Sequence, residues 1–121
     1  MKKLTDKFIE VLMNKINEYY TAYYEEAPSN TKFPYITVPT INLTPLDSGY
    51  LSVFDLEIYV NELCDTSLEK ILDTLRDNLD GYSYRDYTIG FHIGFDNQLL
   101  VKSNEQDLAM RRITFQARIF R

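Results

Sequence analysis

The apolar residues of this chain fall in the order helix, two strands, helix, two strands, which predicts an α+β domain: a mainly antiparallel sheet with its helices on one face. Three observations carry that prediction. Leu4, Phe8, Leu12 and Ile16 recur at helical spacing near the start. Leu68, Ile71, Leu72, Leu75 and Leu79 do so again in the middle. Phe54 to Val60, Ile89 to Phe95 and Ile113 to Ile119 each alternate bulky apolar residues with polar or small ones. With 121 residues, 45% hydrophobic and 26% charged, the chain is sized for one core, so residues 1–121 read as a single domain.

From Leu4 to about Glu26, Leu4, Phe8, Leu12, Ile16, Tyr19, Tyr20 and Tyr23 return every three or four positions, with Lys, Asp, Glu and Asn filling the other face. That spacing predicts one long amphipathic helix, stopped by Pro28 and the polar Ser29-Asn30-Thr31. Residues 33–43 are β-branched and aromatic, yet Pro34 and Pro39 each remove a backbone donor, so an irregular or edge strand is expected. The turn chemistry of Thr44-Pro45-Leu46-Asp47-Ser48-Gly49 leads into Phe54, Leu56, Ile58 and Val60, a half-buried strand most simply antiparallel to the one before it.

Thr66 with Glu69 three residues later matches a capping box, and Asp80-Gly81 closes the leucine stripe that follows. Ile89, Phe91, Ile93 and Phe95 then predict a strand on which Gly90 and Gly94 mark either a bulge or the close approach of another backbone. The stretch from Asp96 to about Met110 keeps no period and predicts a hairpin-like excursion or mobile loop. Its length, roughly 14 residues, is one at which structureless loops are often functional. Ile113, Phe115, Ala117 and Ile119 form the closing strand.

Thirteen Lys+Arg against eighteen Asp+Glu leave a net charge of −5, so the basic excess that holds phosphates is missing and free nucleic acid is not an expected ligand. Cys64 stands alone and makes no intramolecular disulfide; Met1-Lys2-Lys3 runs into an amphipathic segment, so an intracellular product without a signal peptide is expected. No apolar run nears the roughly 20 residues of a membrane span. His92 is the single histidine, and Cys64 lies far from it in sequence, so a strand-borne histidine and a structural cysteine are expected rather than a reactive pair. Glu57, Glu62, Asp65 and Asp73 have no ligand spacing, and the glycines spell no phosphate cradle. No enzyme, metal or cofactor is expected. Tyr19, Tyr20, Tyr23 and Tyr24 supply more aromatic surface than one stripe uses, either as core with Tyr24 at its margin or as a protein interface. Arg111, Arg112, Arg118 and Arg121 form the basic cluster, read as solvated edge charge or as intersubunit partners for carboxylates.

The order and spacing of these segments resemble the tail terminator, or tail completion, family of long-tailed bacteriophages and prophages. The resemblance spans nearly the whole chain. It rests on the N-terminal amphipathic helix, Phe33-Pro34-Tyr35-Ile36, Leu51-Ser52-Val53-Phe54-Asp55-Leu56-Glu57-Ile58-Tyr59, the helix from Leu68 to Leu75 with Leu79-Asp80-Gly81, and Arg111 to Ile119. Similar sequences often carry an aromatic-acidic dipeptide in the second strand, where this chain has Tyr59-Val60-Asn61.

The resemblance implies a structural protein without enzymatic activity, located in the virion at the head-proximal end of the tail and made in the bacterial cytoplasm. It implies a homohexameric ring that stops growth of the tail tube and joins tail to head. The implied partners are further copies of the chain, the tail tube protein and a head completion or connector protein, with DNA only passing through the lumen. A ring of six copies at −5 each, about −30, would repel phosphates within a Debye length of roughly 8 Å. The surfaces expected to meet partners are the turn Asp47-Ser48-Gly49, the loop carrying Leu99, Leu100, Lys102 and Leu108, the arginines Arg111 and Arg112, and Tyr24. Two other readings remain: a head completion or stopper protein of the neck, and a host α+β module that binds a small ligand.

Overall fold

The computed structural model describes residues 2–61, 68–102 and 108–120. Helix α1 (Lys2–Asn17) is followed by strands β1 (Ala22–Tyr24), β2 (Tyr35–Val38), β3 (Thr44–Leu46) and β4 (Gly49–Asn61). Helix α2 (Leu68–Leu79) then leads to β5 (Ser83–Arg85), β6 (Gly90–Lys102) and β7 (Leu108–Phe120). The strands form one seven-stranded sheet in the order β1-β2-β4-β7-β6-β5, with β3 paired to the start of β4. The β1–β2 pair is parallel and all the other pairs are antiparallel.

The fold class is the expected one, an α+β sheet with both helices on one face. Leu4, Phe8, Val11, Leu12 and Ile16 of α1 and Leu68, Ile71, Leu72, Leu75 and Leu79 of α2 are buried in one core. From the sheet they meet Phe54, Leu56, Ile58 and Val60 of β4, Phe91 and Ile93 of β6, and Ile113, Phe115, Ala117 and Ile119 of β7. Phe8 stands near the middle of it, edge-on to Phe91 at 5.0 Å and to Phe54 at 5.9 Å.

The first helix is shorter than its tyrosine spacing predicts. It ends at Asn17, where Glu18 and Tyr19 donate to the carbonyls of Lys15 and Ile16 and so tighten the final turn. The Asn17 amide then does two things: its Nδ2 donates to the Met13 carbonyl at 2.9 Å, and its Oδ1 accepts the Ala22 N–H at 3.0 Å. Tyr23 and Tyr24 are therefore strand residues rather than helical ones.

Strand β2 is not an edge. Pro34 and Pro39 bracket its four residues instead of interrupting them, so it keeps the donors it needs between β1 and β4. A two-residue turn, Asp47-Ser48, joins β3 to β4, with Leu46 opposite Gly49. Gly49 has φ +118°, and a Cβ there would lie 2.5 Å from the Ile119 carbonyl oxygen, so both conformation and space require glycine.

Of the two expectations for the segment between Asp96 and Met110, a hairpin-like excursion or a mobile loop, the described residues have the hairpin: β6 continues to Lys102, and β7 starts at Leu108, with Lys102 opposite Ala109. Residues 103–107 lie outside the described part, as do Cys64 and the cap residue Thr66. The bulge falls at Asp96, where the register slips between Phe95 and Asn97. A Cβ on Gly94 would meet nothing, and one on Gly90 would meet nothing nearer than 3.6 Å, so neither glycine is held by a close backbone.

Candidate interaction surfaces

One face of the sheet is covered by helices, and the other carries the polar residues of the strand alternation. Its central feature is a charged ladder across β4 and β7. Arg112 Nη2 donates to Glu57 Oε2 at 2.9 Å, its Nε lies 3.8 Å from Asp55 Oδ2, and Thr114 Oγ1 donates to Asp55 Oδ1 at 2.6 Å. Thr37 Oγ1 on β2 reaches Glu57 Oε1 at 3.4 Å. The hydrogen bond to Glu57 raises the Arg112 pKa, and burial, with the Glu57 charge second, raises that of the Tyr59 phenol. Beside the ladder Tyr59 stacks on Tyr35 at 5.1 Å, and Tyr35 on Phe33 at 5.4 Å, which leaves the Phe33 ring exposed.

Arg111 and Arg112 are thus not edge charges. Strand β7 lies between β4 and β6, so their guanidinium groups meet carboxylates of their own chain: Arg112 as above, Arg111 with Glu69 of α2 at 3.2 Å. The strand order that brings those carboxylates near is not local, and residue spacing does not reveal it.

The other residues expected at partner surfaces are spread over the molecule. Asp47 and Ser48 form the exposed β3–β4 turn with Gly49 behind them. Leu99, Leu100 and Lys102 on β6 pair with Arg112, Arg111 and Ala109 of β7, and Leu108 with Asn61 of β4, at the far end of the β6–β7 hairpin. Tyr24 is tied inward, its hydroxyl accepting the Ile41 N–H at 2.8 Å. The structure brings together Leu99, Leu100, Arg111 and Arg112. The turn and Tyr24 stand apart.

Two surface features went unseen in the residue pattern. Phe120, 44% exposed, forms a ridge between two shallow hollows. One, of about 360 Å³, is lined by Pro45, Leu46, Ser48, Gly49 and Tyr50; the other, of about 330 Å³, by Ser83, Arg85, Gly90 and His92 among others. The second is the loop after β5. Asp86 accepts from Tyr84 Oη at 2.7 Å, from the Thr88 N–H and hydroxyl at 2.8 Å and from the Ile89 N–H at 3.0 Å, and it pairs with Lys7 of α1 at 3.5 Å. The Tyr84 bond first, then the Thr88 bonds, hold its carboxyl well below the usual carboxylate range. So fixed, the loop presents Tyr87 fully to solvent at the rim of a groove of about 650 Å³ beside Lys3 and Glu10.

Ser83 Oγ and His92 Nδ1 share a 2.6 Å hydrogen bond on the exposed face, but among the described residues no carboxylate holds the other ring nitrogen. No group of three or more His, Cys, Asp or Glu is placed to hold a metal ion among the described residues. No helix of the described residues is long and apolar enough to cross a membrane.

Charge is unevenly spread. Lys7, Lys15, Arg76, Arg111 and Arg112 each have a carboxylate within 4 Å. On the open face, Arg85 of β5 and Arg118 of the internal strand β7 have none among the described residues. Just after β1, Glu25 and Glu26 are exposed and have no cation partner among those residues either. Glu25 adopts φ 70°, a left-handed conformation that costs a non-glycine residue on the order of 1 kcal/mol.

Neither a family model nor a curated protein sequence matches the chain. Among the solved structures it resembles is a chain from the virion of a native gene transfer agent particle. That likeness has a TM-score of 0.65 at 12% sequence identity and covers 89% of this chain and 84% of the other. The chain therefore shares its α+β fold, over most of its length, with a chain of that virion.

Proposed function

We propose that the protein is a structural component of a phage-type virion, without catalytic activity, acting in the tail or neck region as a tail terminator. In this reading six copies form a ring on the head-proximal end of the tail tube, end its growth and join the tail to the head. The observation that carries it is the fold likeness to a chain of the gene transfer agent virion over 89% of this chain. The order of segments supports the same reading, as does a surface whose aromatic, turn and hairpin features suit protein contacts better than chemistry. The partners are the tube protein on one side and a head completion protein on the other, and DNA passes through the lumen.

Sedimentation velocity over a wide concentration range tests the ring. A species near six times 14.3 kDa supports it, and a closed dimer at every concentration overturns it. A monomer throughout restricts the reading to a ring templated on purified tubes, where negative-stain microscopy of capped and uncapped tube ends decides.

A further inference from the structure

Exposed charges of opposite sign, without ion-pair partners among the described residues, stand at two separated places: on the open face over β7, β6 and β5, and just after β1. From β1 to β5 the path crosses six strands, roughly 24 Å at about 4.8 Å per step. On the open face Arg118 and Phe120 of the internal strand β7 lie beside His92 and Gly90 of β6, and these beside Ser83 and Arg85 of β5. The strand register sets Ser83 against His92, Arg85 against Gly90, His92 against Arg118, and Gly90 against Phe120. With only Gly90 beneath them, Arg85 and Phe120 rim a hollow instead of a flat face, and the Arg85 stem lies 3.6 Å from where a Gly90 Cβ would stand. Both arginines are exposed, and no carboxylate of the described residues neutralises them, although the chain holds eighteen acidic residues.

On the β1 side the complementary groups stand out. Glu25 and Glu26 follow the strand directly, both exposed. Glu25 holds the left-handed conformation that glycine or asparagine would adopt with less strain, so the fold alone gives no reason for a glutamate there. Strand addition is not the means of contact on this side. Asn17 takes both the N–H and the carbonyl of Ala22, and the Tyr24 carbonyl accepts from Glu26, so the outward backbone groups of β1 are largely occupied.

We infer that copies of this chain join head to tail through these two patches, with Glu25 and Glu26 of one copy seated against Arg85 and Arg118 on the open face of the next and the Phe120 ridge at the centre of the contact. The inference rests on the ring reading above and names its interface. Two different patches meet, so the contact is heterologous, the kind that closes into a ring or runs on into a filament. Charge sets its polarity and register, and the Phe120 ring supplies the apolar centre.

Two charge-reversed proteins test it: one with Arg85→Glu and Arg118→Glu, the other with Glu25→Lys and Glu26→Lys. Each alone sets like charges against each other at every junction. Each should need about tenfold or more concentration to assemble than the unaltered chain. Mixed in equal amounts, they restore opposite charges at every junction if the two proteins alternate, and six is an even number. Recovery of the six-fold species in the mixture, read by sedimentation velocity, supports the interface. It also shows that both variants are folded, which thermal melts by circular dichroism check independently. Six-fold rings formed by each variant alone overturn the interface and leave the ring reading standing. Loss of assembly without recovery on mixing overturns the pairing of these residues. An unaltered chain that stays monomeric overturns the ring in solution and this interface together.

Discussion

At the scale of single residues, two positions hold the surface in shape by different means. Gly49 combines φ +118° with an Ile119 carbonyl 2.5 Å from any Cβ, so Gly49→Ala forces either the β3–β4 turn or the end of β7 to move. A loss of about 2 kcal/mol or more is expected, measured as a lowered urea midpoint with an unchanged slope. Asp86 acts through hydrogen bonds that need its ionised form. Its folded pKa lies below the unfolded value of 3.8, so it stabilises the fold above that pH, and the contribution drains away as pH falls below it. Asp86→Asn should therefore lower stability at neutral pH and flatten the acid limb of a pH–melting-temperature curve below about pH 4. An unchanged acid limb would show that the Asp86 carboxylate does not act in this way.

At the scale of elements, β1 exists because Asn17 ends the helix and caps the strand that follows. Removing the amide in Asn17→Ala takes a second donor from the Met13 carbonyl and strips both outward groups of Ala22 of their partner. A loss of about 1–2 kcal/mol is expected in a urea melt, together with faster aggregation at high concentration by light scattering, since an uncapped edge invites strand pairing. The same element shows what the residue pattern conveys and where it stops. Leu68 to Leu79 and Phe54 to Val60 were legible because burial on one side imposes a clean period. Tyr19, Tyr20 and Tyr23 continued the helical spacing of α1, and nothing in that spacing announces that the chain turns at Glu18. Strands β3 and β5, three residues each, owe their existence to longer neighbours. The outer part of β6 is held by its ladder with β7 and carries no alternation by which to recognise it. The surfaces suffered more than the elements. The Arg112–Glu57 pair joins residues 55 positions apart, and the Phe120 ridge needs the turn at Asp47-Ser48 and the strand at Ser83 to arrive together.

At the scale of the whole molecule, charge and shape have to be reconciled. The net charge is −5, yet Arg85 and Arg118, exposed and without a carboxylate partner among the described residues, share one patch of the open face. If that patch is covered by the neighbouring copy, the assembled surface is more uniformly acidic than the free chain. The assembled protein is then expected to leave duplex DNA unretarded in a gel mobility assay even at low salt, while the isolated chain keeps its basic corner accessible. Retardation by the six-fold species that strengthens as salt is lowered would contradict the placing of Arg85 and Arg118 inside the contact.

The last strand described, β7, is also the middle one, held between β4 and β6 along nearly its whole length. A ribosome making this protein therefore releases α1, the β1–β4 region, α2 and the first arm of the hairpin before the strand that unites them exists. Until Phe120 emerges, the inner edges of β4 and β6 lie bare and the core under α1 lacks Ile113, Phe115 and Ile119. Closure of the sheet therefore waits for β7. A chain interrupted within β7 would lose the centre of its sheet.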